Sequence, residues 1–174
     1  MKNTGQKGFT LIELMVTIAI AAILVTAGVP AFIQFVQNNR RAAELNGLVR
    51  ALNMARSTAV RQRTTVRVCA SSNQTDCITD WSKGWIVFAD KDDDKTADTG
   101  ELIHVFPPLD GGNNLFPHVS TMMGYVSTGL STASGYFTLC DPRGPAQARA
   151  VIVSAAGAIR TSDKNDVGNA LACQ

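Results

Sequence analysis

The stretch "KGFTLIELMVTIAIAAILVTAGVPAF", Lys7 to Phe32, is an apolar run broken by one acid, Glu13. As a helix, Phe9 to Val29 would be about 30 Å long, the thickness of a bilayer's hydrocarbon core. A carboxylate near the centre of such a helix costs roughly 2.5–3.5 kcal/mol on lenient insertion scales, so Glu13 needs a partner. Lys2 and Lys7 precede the run, and positive flanks hold that side in the cytoplasm while the chain after Pro30 is exported. A removed secretory signal is the rival reading, with a weak small-residue cleavage site around Ala27; a retained anchor is favoured. Both readings export the remainder.

Pro30 removes a backbone donor and favours a bend. Beyond it, Leu45, Leu48, Leu52, Ala55 and Ala59 recur at spacings of three and four, which predicts an amphipathic helix lying on a globular core. The two halves read as one long, gently broken helix. After Gln62 the pattern changes to alternation: 64–70, 84–90, 101–106, 135–140 and 149–155 read as short strands between Gly-, Pro- and Asp-rich turns. The span 107–134 reads as loop-rich, with at most a short strand around Tyr125. The expected class is α+β, a long N-terminal transmembrane and amphipathic helix packed on a small antiparallel sheet. Its parts are a leader over 1–8, a membrane and assembly helix over 9–30, the amphipathic half over 31–63 and a β-rich head over 64–174.

Four cysteines suit an oxidising compartment. Cys69 and Cys77 bracket a polar loop, and Cys140 ends a strand whose expected neighbour is the tail carrying Cys173. The pairs Cys69–Cys77 and Cys140–Cys173 are therefore favoured over the two other connectivities. A zinc site is disfavoured, since no C-x-x-C spacing occurs and His104 and His118 are isolated. The acidic segment "DKDDDKTADTGE", Asp90 to Glu101, matches a twelve-residue calcium loop with Asp90, Asp92, Asp94, Asp98 and Glu101 at positions one, three, five, nine and twelve. Lys95 occupies the position that calls for glycine, and the flanking elements are strands, so a solvated hairpin turn without cofactor is the preferred reading. Trp85 is assigned to the core. No nucleophile, base and orienting acid are grouped in the sequence, which argues against an enzyme.

The segment "KGFTLIEL" resembles the type III signal of type IV pilins and type II secretion pseudopilins. The resemblance implies that a prepilin peptidase and methyltransferase cuts after Gly8 and methylates Phe9, with the helix kept for assembly with other pilins or pseudopilins. Glu13 matches the family's acidic position, where its carboxylate is expected to neutralise the α-ammonium of a neighbouring subunit's Phe9. Pro30 matches a family proline associated with helix softening. "VCASSNQTDCITDWSKGWIVFADKDDD", with "GELIHVF", "YFTLCDPRG" and "ARAVIVSAAGAIR", is similar to the GspH/FimT family of minor pilins and pseudopilins. The implied function is a structural subunit that primes, caps or tips a type IV pilus or a type II secretion pseudopilus. The implied location is a single pass through the bacterial inner membrane before assembly, then a surface pilus or a periplasmic pseudopilus.

Some relatives resembling FimT bind DNA through a G-R-x-R motif between the last strands. This chain has Gly157-Ala158-Ile159-Arg160, with alanine at the first arginine. A net charge of +2 is too small to identify a partner. The arginines from Arg40 to Arg67 read as a solvated face or subunit contact. Duplex DNA is thus the alternative partner, through Gly157 and Arg160 with Arg143 and Arg149 in support.

Overall fold

The computed structural model describes residues 8–119 and 121–173; most of the expected leader lies outside the described residues. The chain divides into two compact units, Met1–Asn39 and Arg40–Gln174. One helix, α1 (Leu11–Gln62), contributes to both.

In the first unit the helix begins where its donors can be satisfied. The Glu13 N–H donates to Thr10 Oγ1 at 3.3 Å, and the Leu14 N–H donates to the Thr10 carbonyl at 3.1 Å. Thr10 is thus an N-cap, and Thr10-Leu11-Ile12-Glu13 has the spacing of a capping box. Further along, the hydroxyl of Thr17 donates to the Leu14 carbonyl at 2.8 Å, and that of Thr26 to the Ala22 carbonyl at 2.9 Å. These side chains meet their hydrogen-bonding needs inside the helix, as an apolar medium requires. Helical backbone continues through Pro30, where the sequence predicts a bend.

The second unit begins with the helix end. Leu48, Ala51, Leu52, Ala55, Thr58 and Ala59 are buried, the three-and-four spacing that the sequence predicts. Arg63, at φ 54°, takes the left-handed conformation that stops the helix before β1. Eight strands follow: β1 (Thr65–Ala70), β2 (Trp85–Asp90), β3 (Leu102–Phe106), β4 (Asn114–His118), β5 (Met122–Tyr125), β6 (Gly135–Cys140), β7 (Arg149–Val153) and β8 (Ile159–Ser162). They form two four-stranded antiparallel sheets, ordered β3-β2-β1-β5 and β4-β6-β7-β8, so the expected antiparallel β head divides into two layers. Span 107–134 holds two strands, not one at most. β4, β5 and β8 are all edge strands. β4 carries Pro117, which an edge tolerates because one side of the strand needs no donors, and β5 carries Gly124. β4 and β8 are buried on one face at most, whereas β5 is too short, at four residues, to show its alternation.

Alternation along β2 divides two buried layers. Trp85, Val87 and Ala89 face the main core with Leu48, Leu52 and Ala55 of the helix. Ile86 and Phe88 face the other side with Cys69, where Ala97, Val105 and Met122 pack on them. Trp81 lies in the 3-10 turn Trp81–Lys83, capped where the Ser82 N–H donates to Asp80 Oδ1 at 3.0 Å. Its ring is fully buried, edge-on to Phe137 of the second sheet at 4.7 Å and 6.5 Å from Trp85 of the first. The indole therefore joins the two sheets. The head carries two disulfides, Cys69–Cys77 and Cys140–Cys173, with Cα separations of 5.6 Å and 6.0 Å. The strand ending in Cys140 is hydrogen-bonded to β4 and β7, not to the tail; the tail reaches Cys140 through Cys173 and the buried Leu171.

Candidate assembly site and charged clusters of the head

A helix packed on a globular core turns its large apolar side chains inward, and the first unit does the opposite. Every large apolar side chain from Phe9 to Phe35 is half exposed or more, Phe9 itself at 83%. This length and composition suffice to cross a membrane. Glu13 stands in the first helical turn, where the partial positive charge of the unpaired N–H groups favours an anion. A Cβ built on Gly8 would meet nothing within 4 Å. Gly8, Phe9, Glu13 and Pro30 are thus presented on one apolar helix and its lead-in. The capping role of Thr10 is a feature the sequence reading missed, although its T-x-x-E spacing was legible.

The head's arginines are largely engaged in holding it together. Asp141 is buried with its side chain 1% exposed, and Arg143 grips it through Nε at 3.0 Å and Nη2 at 2.5 Å. Arg41 of the helix approaches the same carboxylate at 3.6 Å and also donates to the Gln147 carbonyl. Hydrogen bonding from Arg143, outweighing burial, holds the Asp141 carboxyl below its usual range. Burial first, and then the nearby Arg149 charge, lowers the pKa of Arg41. A second clamp is Arg56, whose Nε donates to the Gly129 carbonyl at 3.1 Å and whose Nη2 donates to the Ala156 carbonyl at 3.3 Å. The helix is thereby tied to the 126–130 loop and to the turn between β7 and β8.

These placements bear on the four residues considered for DNA. Arg160 pairs with Ile152 across β7 and β8, so both point to the same side of the sheet. Arg149 lies three residues before Ile152 on β7 and therefore points to the other side. Arg143 is held by Asp141. Gly157 has φ 77°, and a Cβ there would come within 2.2 Å of the Gly129 carbonyl, so the turn's close approach to that loop accounts for the glycine. The structure does not gather these residues on one surface.

The acidic segment forms the connection between β2 and β3. Arg67 of β1 is paired with Asp90 and with Asp93. Carboxylate oxygens of Asp90, Asp92 and Asp94 lie within 4.8 Å of one another. Asp98 has its pKa raised by charge crowding, first from Asp94 and, after burial, from Asp92 and Glu101. The Lys91 N–H donates to Glu101 Oε1 at 3.1 Å, which places the last carboxylate of the segment back against its start.

Comparison with known proteins gives this geometry a family. The described family "Type II transport protein GspH" matches residues 44–157, and the "Prokaryotic N-terminal methylation motif" matches residues 3–29. A curated Escherichia coli K12 protein, "Prepilin peptidase-dependent protein D", is 46% identical over 65 residues, which are 37% of either chain. In structure the chain is similar to the type IV minor pilin FimU of Pseudomonas aeruginosa PAO1, with TM-score 0.59 and 18% identity over 77% of this chain and 98% of that one. It is also similar to the minor pseudopilin EpsH of the Vibrio cholerae type 2 secretion system, with TM-score 0.50 and 11% identity over 71% and 96%. With the family match covering most of the head and the methylation motif covering the apolar helix, the chain belongs to the GspH family of minor pilins and pseudopilins, structural subunits rather than enzymes.

Proposed function

We propose that this chain is a minor subunit that primes, caps or tips a type IV pilus or type II secretion pseudopilus. In this reading it enters the inner membrane as a single-pass protein. Cleavage after Gly8 frees the Phe9 ammonium, a methyltransferase modifies it, and the exposed helix moves from lipid into the core of a filament. The observation that carries the proposal is the exposure of the apolar helix from Phe9 to Phe35, a surface that needs lipid or neighbouring helices to cover it. The matched methylation motif supports processing at the Gly8–Phe9 junction.

Glu13 then has a role at each stage. In a single subunit it lies in the favourable field of the helix N-terminus. In the filament its carboxylate neutralises a neighbouring subunit's Phe9 ammonium, and the dry surroundings make that attraction strong. Because an unpaired buried charge is far costlier than a paired one, the pair fixes the axial register of one subunit on the next. Glu13→Ala should leave insertion and cleavage intact but lower the subunit's recovery in sheared filaments about tenfold or more. Quantifying wild-type and variant subunits in that fraction checks it, and equal recovery contradicts the pairing role.

A further inference from the structure

We infer that the segment joining β2 to β3 binds one calcium ion through the carboxylates of Asp90, Asp92 and Asp94, with Glu101 as the buried acid at its far end. Two kinds of observation meet here. The first is proximity: the three aspartates bring oxygens within 4.8 Å of one another, at positions one, three and five of a twelve-residue segment ending in Glu101. The second is independent of that clustering. Asp90 is 2% exposed and Glu101 8% exposed, yet Asp90 Oδ1 and Glu101 Oε2 are buried without a hydrogen-bond partner. A buried carboxylate oxygen left unpaired is costly, and a cation held by Asp90 removes that cost there.

The surrounding charge is consistent with a divalent ion. Arg67 occupies Asp90 Oδ2 and leaves Oδ1 free of it. The segment Asp90–Glu101 carries six acids and two lysines, and Arg67 of β1 is paired with Asp90 and Asp93, which leaves an excess of three negative charges. The set offers oxygen alone, without the imidazole or thiolate that zinc or copper prefers. Calcium tolerates the irregular shell that a hairpin connection provides, whereas magnesium demands a near-ideal octahedron. The glycine missing from position six is no obstacle, since Lys95 itself adopts φ 69°, the left-handed conformation that a sharp turn needs. Ala97, from the same segment, packs on the layer of Cys69, Ile86 and Phe88, so ordering the segment also closes that layer.

The test uses the full processed chain in detergent micelles, freed of metal with a chelator. Thermal unfolding is followed from zero to 10 mM calcium chloride at constant ionic strength, alongside calorimetric titration with the same salt. A Kd on the order of 10⁻⁴–10⁻³ M, usual for extracellular modules, predicts a saturable rise in Tm of about 3–10 °C and one ion per chain. Asp92 and Asp94 are exposed, so the double variant Asp92→Asn, Asp94→Asn should keep the metal-free Tm within about 2 °C and weaken calcium binding at least tenfold. A wild-type chain without a saturable calcium response overturns the inference. So does a double variant that responds like wild type, or magnesium that matches calcium at equal concentration. The readouts concern the single subunit, so they stand or fall separately from filament entry.

Discussion

Among single residues, Asp141 illustrates how the head uses charge. Its carboxylate lies where Arg41 from the helix and Arg143 from the following loop converge, and it is nearly free of solvent. Removing its charge strands Arg41, whose side chain is only 11% exposed, beside Arg149. Asp141→Asn should therefore destabilise the head by about 3–5 kcal/mol, the range for breaking a buried pair from one side. The pH dependence has a definite sign. The carboxyl's pKa is depressed in the folded chain, so its contribution is complete above the unfolded value of about 4 and fades as pH falls through the folded value. Equilibrium unfolding of wild type and variant should differ at pH 7 and draw together as pH falls below the usual carboxylate range. None of this was visible in the sequence, where Asp141 sits in an ordinary "CDPRG" turn and its partner Arg41 lies 100 positions away.

Between elements, the decisive junction is the one that Arg56 makes. The turn between β7 and β8 closes where the Ser154 N–H donates to the Ala158 carbonyl at 3.0 Å and the Gly157 N–H donates to the Ser154 carbonyl at 2.8 Å. Its outer surface lies against the 126–130 loop, and Arg56 bonds both segments from the helix. Gly157→Ala introduces a methyl at a left-handed position and into the Gly129 carbonyl, so it should cost about 2–4 kcal/mol. Gly168→Ala is the control for conformation alone: φ is 89° there, but a Cβ would meet nothing within 4 Å, and the loss should be about 1 kcal/mol. Denaturant midpoints of the two variants separate the effects. A loss at Gly157 no greater than at Gly168 would remove the role assigned to the Gly129 contact.

At the scale of the molecule, the arginines considered for DNA do not converge on one surface. Arg160 is exposed on the outer side of β8, Arg149 points to the other side of that sheet, and Arg143 is bound to Asp141. Each phosphate contact contributes roughly −0.9 to the slope of log K against log salt, so one or two contacts give weak binding that salt abolishes. The full chain in micelles should bind duplex DNA with a Kd weaker than about 10 μM near 0.15 M salt, with a slope of about −1 to −2. Ala158→Arg, which restores a second arginine beside Arg160, should tighten it severalfold. Fluorescence anisotropy of a labelled duplex at two salt concentrations measures both quantities. Submicromolar binding that Arg160→Ala abolishes would make DNA uptake the leading function.

By itself the sequence determined the apolar helix with its single acid, the amphipathic continuation, the central strands β1, β2, β6 and β7, and the burial of Trp85. These are local properties, set by the period of apolar residues along the chain, and they survive without knowledge of what packs where. Only the tertiary structure decided that there are two sheets, that β4 and β8 complete the second, and that Trp81 joins it to the first. It likewise decided that Asp141, Arg56 and Gly157 serve packing, and that Asp90 and Glu101 are buried with oxygens to spare. Those outcomes depend on partners far apart in sequence. β4, β5 and β8 are only four or five residues long, with a proline, a glycine or exposed positions blurring their alternation, and a charged residue's role is fixed by which distant charge folding brings to it.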